Sequence, residues 1–111
     1  MSNLEVQGLV IKVRPGQLVS STQGRDTGRY YLVLSSLDDH FVEVTDGEYR
    51  GIEKPKRKNV RHLKIWPIVS ESMAEKLAGN IRLTNNDIMS SLAEMQRSIQ
   101  EEPLLKGKEV G

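Results

Sequence analysis

The sequence predicts a mainly β fold, a small barrel followed by a short helical extension at the C-terminal end. Three observations carry this prediction. Short β-branched and aromatic runs recur over the first two-thirds of the chain, each stopped by a turn signal. After residue 69 the apolar spacing changes from a strand period to a helical one. At 111 residues the chain has room for one modest core and an appendage, not two full domains.

Leu9 to Val13 is apolar and β-branched and stops at Pro15-Gly16. Leu18-Val19 leads into a loop with Gly24 and Gly28, and Tyr30 to Leu34 follows as the strongest strand signal. Asp38-Asp39-His40 reads as a hairpin connection into Phe41 to Thr45, where Val42 and Val44 face opposite to Phe41, Glu43 and Thr45. Asp46-Gly47 is a turn signal, and a short strand is expected around Tyr49 to Glu53. A last strand is expected from Val60 to Ile65, with His62 and Lys64 on one face, ending at Trp66-Pro67. Five short strands at this spacing suggest an SH3-like barrel. With one Phe and one Trp in the chain, Val, Leu and Ile must supply most of its core.

In the C-terminal third, Ser72-Met73-Ala74-Glu75 has the form of a capping box and Gly79-Asn80 offers a left-handed stop, so a helix is expected over 71–78. Thr84 or Asn85 would cap a second helix over 85–100, with Asp87 favoured in its first turn. Ile88, Leu92, Met95 and Ile99 make one apolar stripe on it. That stripe packs on the barrel or docks a protein partner or a second copy. Pro103 and the tail beyond it read as disordered. The expected division is a barrel over 1–68 and a helical extension over 69–111.

The chain is close to neutral as a whole, at +1, but the charge is unevenly placed. Residues 50–64 carry seven Lys or Arg and a single acid, Glu53. A local field of that kind governs partner choice more than the overall sum does. The C-terminal third is net acidic, and this raises the expectation that it covers the basic face. There is no cysteine, which removes disulfides and thiolate metal sites. His40 and His62 stand apart from any ligand spacing, so neither a metal nor another cofactor is expected. No Gly-x-Ser-x-Gly elbow and no Gly-Lys-Ser/Thr phosphate loop is present, and no catalytic residue is assigned. No signal peptide or membrane-spanning run is read, so the chain is expected in the cytoplasm, off the membrane.

The loop and the basic run are the candidate functional features. Gly24 and Gly28, each followed by an arginine, permit a tight loop whose backbone approaches another molecule. Arg25 and Arg29 supply forked donors suited to phosphate. The spacing Gly16, Val19, Gly24, Gly28, Asp38, Val44, Asp46-Gly47 resembles the KOW domain of the L14e/L6e/L27e group of ribosomal proteins. The segments Gln23 to Tyr30, Asp46 to Arg50, Glu53 to Asn59 with His62-Leu63, and Thr84 to Ile88 are similar to those of small bacterial KOW-domain RNA-binding proteins. The resemblance is strong over roughly residues 10–66 and weak in the tail. It implies binding to structured RNA, ribosomal RNA above all, with a protein-interaction module of the translation or transcription machinery as the alternative. The residues it implies for RNA contact are Gly24, Arg25, Asp26, Gly28, Arg29, Lys54, Lys56, Arg57, Lys58, Asn59, Arg61, His62 and Lys64. Tyr30 and Tyr31 point to opposite faces of their strand, and core packing is the simpler role for each.

Overall fold

The computed structural model describes residues 4–6, 9–11, 13–101 and 108–109, and side chains over 13–100. Leu4–Val6 (β1) and Leu9–Ile11 (β2) pair with each other as a separate antiparallel ribbon. The main sheet is built from Gln17–Ser21 (β3), Tyr30–Ser36 (β4), Phe41–Thr45 (β5), Lys56–Asn59 (β6) and Leu63–Val69 (β7). Its order is β6-β5-β4-β3-β7, all antiparallel, with Lys108–Glu109 (β8) added beside β7. Pro103 and most of the tail expected to be disordered lie outside the described residues.

Strands β3 to β6 form a meander, and a single 3-10 turn at Val60–His62 sends β7 back to pair with β3. Among the described residues no ladder joins β6 to β7, so the sheet is barrel-like but open in its backbone pairing. Three sequence expectations change here. No strand forms at 49–53, because the Asp46 carboxylate accepts from Glu48 N and Arg50 N at 2.9 and 2.8 Å. Those donors are spent in a closed turn and are not offered to a partner. The basic run is itself the strand, since β5 has an edge to fill and Lys56–Asn59 pairs with it in register. The last strand accordingly starts later and runs longer than 60–65, passing through Pro67. Opposite the step from Gln17 to Val19, β7 runs from Val69 to Ile65, and this bulge on β7 accommodates the proline, with Gln17 Nε2 donating to the Trp66 carbonyl at 3.0 Å.

Both faces of the sheet are buried. The inner face gathers Val19, Tyr31, Val33, Val42, Val44, Val60, Leu63 and Ile65. The outer face puts Leu18, Leu32 and Trp66 against Met73, Leu83, Ile88, Leu92 and Met95. Trp66 therefore serves the helix-facing layer, its indole N–H donating to Ser20 Oγ at 3.0 Å, while Phe41 is only half-buried. Five valines, with Leu63, Ile65 and Tyr31, fill the interior.

Two helices make that second layer: Glu71–Ala78 (α1) and Asn85–Glu101 (α2). The cap of α1 is Ser70, not Ser72, with its hydroxyl accepting from Met73 N at 3.3 Å. Thr84 and Asp87 exchange two bonds, of 3.1 and 3.0 Å, at the start of α2. The left-handed residue between the helices is Asn80, at φ 56°. The stripe Ile88, Leu92 and Met95 is buried against the sheet, with Ile99 packed at its margin. Among the described residues no helix is long and apolar enough to cross a membrane.

Glycine 47 sets how closely α2 approaches. Its φ is +77°, and a Cβ there would lie 2.5 Å from the Asn85 carbonyl oxygen. Asn85 in turn accepts from Ile52 N at 2.8 Å and donates to Glu53 at 3.1 Å, so the start of the helix is tied to this turn. Gly47→Ala is expected to destabilise the protein by more than about 2 kcal/mol, from backbone strain and steric displacement together. At Gly28, where φ is +90° but nothing lies within 4 Å of a Cβ, alanine should cost about 1 kcal/mol from strain alone. Denaturant unfolding of the two variants checks the difference.

Candidate nucleic-acid interface

The loop between β3 and β4 is a compact turn held by its own backbone. Gly28 N donates to the Ser21 carbonyl at 2.8 Å and Ser21 N to the Arg29 carbonyl at 3.0 Å. The Thr27 hydroxyl closes onto the Gly24 carbonyl at 2.6 Å. Gly24 and Gly28 both have φ near +90°, at 93° and 90°, which the turn requires. Both are exposed, as is Arg25. The outer side of this backbone is open to an approaching strand.

Asp26 turns the other way. Only 7% exposed, it lies beneath the loop and receives Tyr31 OH on one oxygen at 2.6 Å and Ser21 OH on the other at 2.7 Å. Lys56 Nζ stands 3.0 Å from Oδ2 and Lys58 Nζ 3.4 Å from Oδ1. Lys58 also donates to Ser21 Oγ at 3.0 Å and is itself only 7% exposed. Burial works to raise the carboxyl pKa. The hydrogen bonds from Tyr31, Ser21 and Lys56 and the Lys58 charge outweigh it and hold Asp26 well below the usual carboxylate range. Burial and the Asp26 charge push the Tyr31 phenol well above its ordinary value.

The strand period explains why the basic run divides. Lys56 and Lys58 pair with Val44 and Val42, whose side chains face inward, so both lysines point under the loop. Arg57 points outward and lies over the Phe41 ring, 3.9 Å from its centroid. The loop and the run do meet, through Asp26. Lys58 and Asp26, expected at an RNA surface, instead direct their charged groups at each other.

Among the remaining expected residues, Lys54, Arg57 and Arg61 are exposed. Asn59 is half-buried and caps the 3-10 turn, accepting from Arg61 N at 2.9 Å. His62 belongs to that turn rather than to a strand, and its carbonyl accepts from Thr22 N at 2.9 Å. Lys64 lies on the same face as Trp66, its Nζ 4.5 Å from that ring's centroid, opposite to the face that holds Asp26. The expected shared face of 62 and 64 does not form, because the strand alternation starts at Leu63. The described ion pairs join Arg14 to Glu71 and the two lysines to Asp26, so none links α2 to the basic run.

Tyr49, which the sequence marks only as part of a strand, joins the site. It is 68% exposed, and the Arg29 guanidinium lies 4.0 Å from its ring centroid. Only the Asp46-Gly47 turn, which aims it back at the loop, brings the two together. Ser21 and Tyr31 were also missed as partners of Asp26. Their signal lay in the register of β3 and β4, which puts both side chains on the inner face.

Over 55 residues the chain is 31% identical to the large ribosomal subunit protein eL14 of Hyperthermus butylicus. Over that stretch the chain resembles L14e. The matched stretch is 50% of this chain and 56% of the archaeal protein, so the chain spans little more than half of that relative's length. No protein-family model matches the chain.

The Asp26 network predicts a pH signature. Because the folded carboxyl pKa lies below its unfolded value, the stabilisation is complete above the ordinary carboxyl range and is lost as pH falls toward the folded value. Asp26→Asn should lower stability by about 3 kcal/mol near neutral pH, since it leaves two ammonium groups without their counterion. The gap between this variant and the parent should narrow below about pH 4. Urea titrations of both proteins across pH 2–7 test this.

Proposed function

We propose that this chain binds structured RNA as a ribosome-associated protein of the cytoplasm, with ribosomal RNA as its target. The observation that carries the reading is the likeness to a large-subunit ribosomal protein over half the chain. The SH3-like barrel of KOW type is the corresponding fold proposal, and the meander with its returning β7 supports it. In this reading the 24–28 loop and the exposed cations Arg25, Lys54, Arg57 and Arg61, with Arg29 beside them, face the sugar–phosphate backbone. Cations contacting phosphates release condensed counterions, which makes binding electrostatic and sensitive to salt. Lys56 and Lys58 act from below by fixing the loop through Asp26. The proposed role is binding, with no catalytic step and no cofactor.

The alternative of a protein-docking helix loses its surface, since the apolar stripe of α2 is covered by the sheet. Sedimentation of cell extract through a sucrose gradient tests the proposal, with the protein expected in the ribosomal subunit fractions. Binding to ribosomal RNA fragments should weaken by roughly 0.7 log units per tenfold salt for each contacted phosphate on a single strand, and somewhat more on a duplex. The double variant Arg25→Glu, Arg57→Glu should weaken binding and lower this slope by about two contacts' worth, roughly 1.4 log units per tenfold salt on a single strand. A flat salt response in the parent, or absence from every ribosomal fraction, counts against the reading.

A further inference from the structure

The surface beside the loop holds a second feature that phosphate contact leaves unused. A groove of about 350 Å³ lies between the loop, the 46–49 turn and α2. Tyr49 and Arg29 form one wall, Met89 and Leu92 contribute apolar surface from the helix, and Gln96 and Glu48 supply polar groups. Arg29 covers one face of the Tyr49 ring, and at 68% exposure the rest of the ring is open to solvent. Met89 is 38% exposed at the same place. A pocket at the small end of the usual range for small-molecule sites takes one compact group.

The chemistry of the lining narrows what that group is. Aromatic and guanidinium planes are the surfaces on which unpaired bases stack. Asp46 also lines the groove, but its carboxylate is occupied by the Glu48 and Arg50 backbone N–H groups. Among the described residues, the Glu48 carboxylate and the Gln96 amide have no hydrogen-bonding or ion-pair partner. Two carboxylates against one guanidinium give the groove a negative balance, which disfavours phosphate inside it and admits a neutral planar group with polar edges. We propose that this groove receives a single unpaired nucleobase, stacked against the Tyr49–Arg29 pair with its polar edge toward Glu48 and Gln96. The inference rests on the RNA-binding reading and deepens it: the cationic loop holds the backbone, and the groove takes a base turned out of the stack.

The test uses the full chain and a ribo-oligonucleotide carrying 2-aminopurine, once as a single strand and once paired in a blunt duplex. Stacking quenches the probe, so the single strand should lose fluorescence on binding. Tyr49→Ala should abolish the quench and weaken single-strand binding about tenfold, with a much smaller effect on the duplex. Tyr49→Phe should keep both the quench and the affinity. The exposure of Tyr49 makes both substitutions safe for folding, and a thermal melt verifies it. An unchanged quench in Tyr49→Ala, or equal losses on single strand and duplex, overturns the groove. If the Arg25→Glu, Arg57→Glu variant still loses affinity in that case, the RNA-binding reading stands without it. If the parent protein binds neither RNA, both fall together.

Discussion

The rest of the sheet depends on one buried carboxylate. Asp26 draws together the loop after β3, the hydroxyl of Tyr31 on β4 and the two inward lysines of β6. Taking such a charge out of water is costly, and the cost is offset only where its lone pairs are filled. Here both oxygens accept a hydroxyl proton and both face an ammonium group. The network joins β6 to the end of β3 and to β4, strands with which, among the described residues, β6 shares no backbone ladder. One ionised side chain ties a loop already shaped by its own backbone bonds to the edge strand of the sheet.

A second constraint is that the sheet has no wet face over most of its area. β3 is buried along its whole length because the valine-rich inner core and the helices claim opposite sides of it. The C-terminal segment is thus a structural layer more than an appendage. Its attachment is made of polar detail: Ser70 and Thr84 start the helices, while Asn85 and the close approach at Gly47 set the position of α2. This arrangement places α2 beside Tyr49 and creates a groove on a surface that is otherwise a cationic loop.

Burial of alternate lysines recasts the basic run. A linear reading adds Lys56, Arg57 and Lys58 into one positive patch, whereas strand geometry sends them to opposite sides. What faces solvent is sparser and more directional: arginines resting over aromatic rings, at Tyr49 and Phe41. A guanidinium held this way loses less freedom when it meets a phosphate or a base than one on a free side chain. The patch gains order as it loses charge.

The sequence by itself determined the β character of the first two-thirds, the turn glycines at 24 and 28, and the apolar stripe of α2. Local chemistry decides each of these: side-chain branching, positive φ and a helical period act within a few residues. It also marked the loop and the basic run as the features to watch. Only the tertiary structure decided that Lys56–Asn59 is a strand, that Asp46 closes the next turn and that Trp66 faces the helices. Strand pairing is chosen by which edge is left unfilled, and no short window of sequence contains that information. For the same reason, the meeting of Asp26 with Lys58, 32 residues apart in the chain, and of Tyr49 with Arg29 was out of reach of a linear reading.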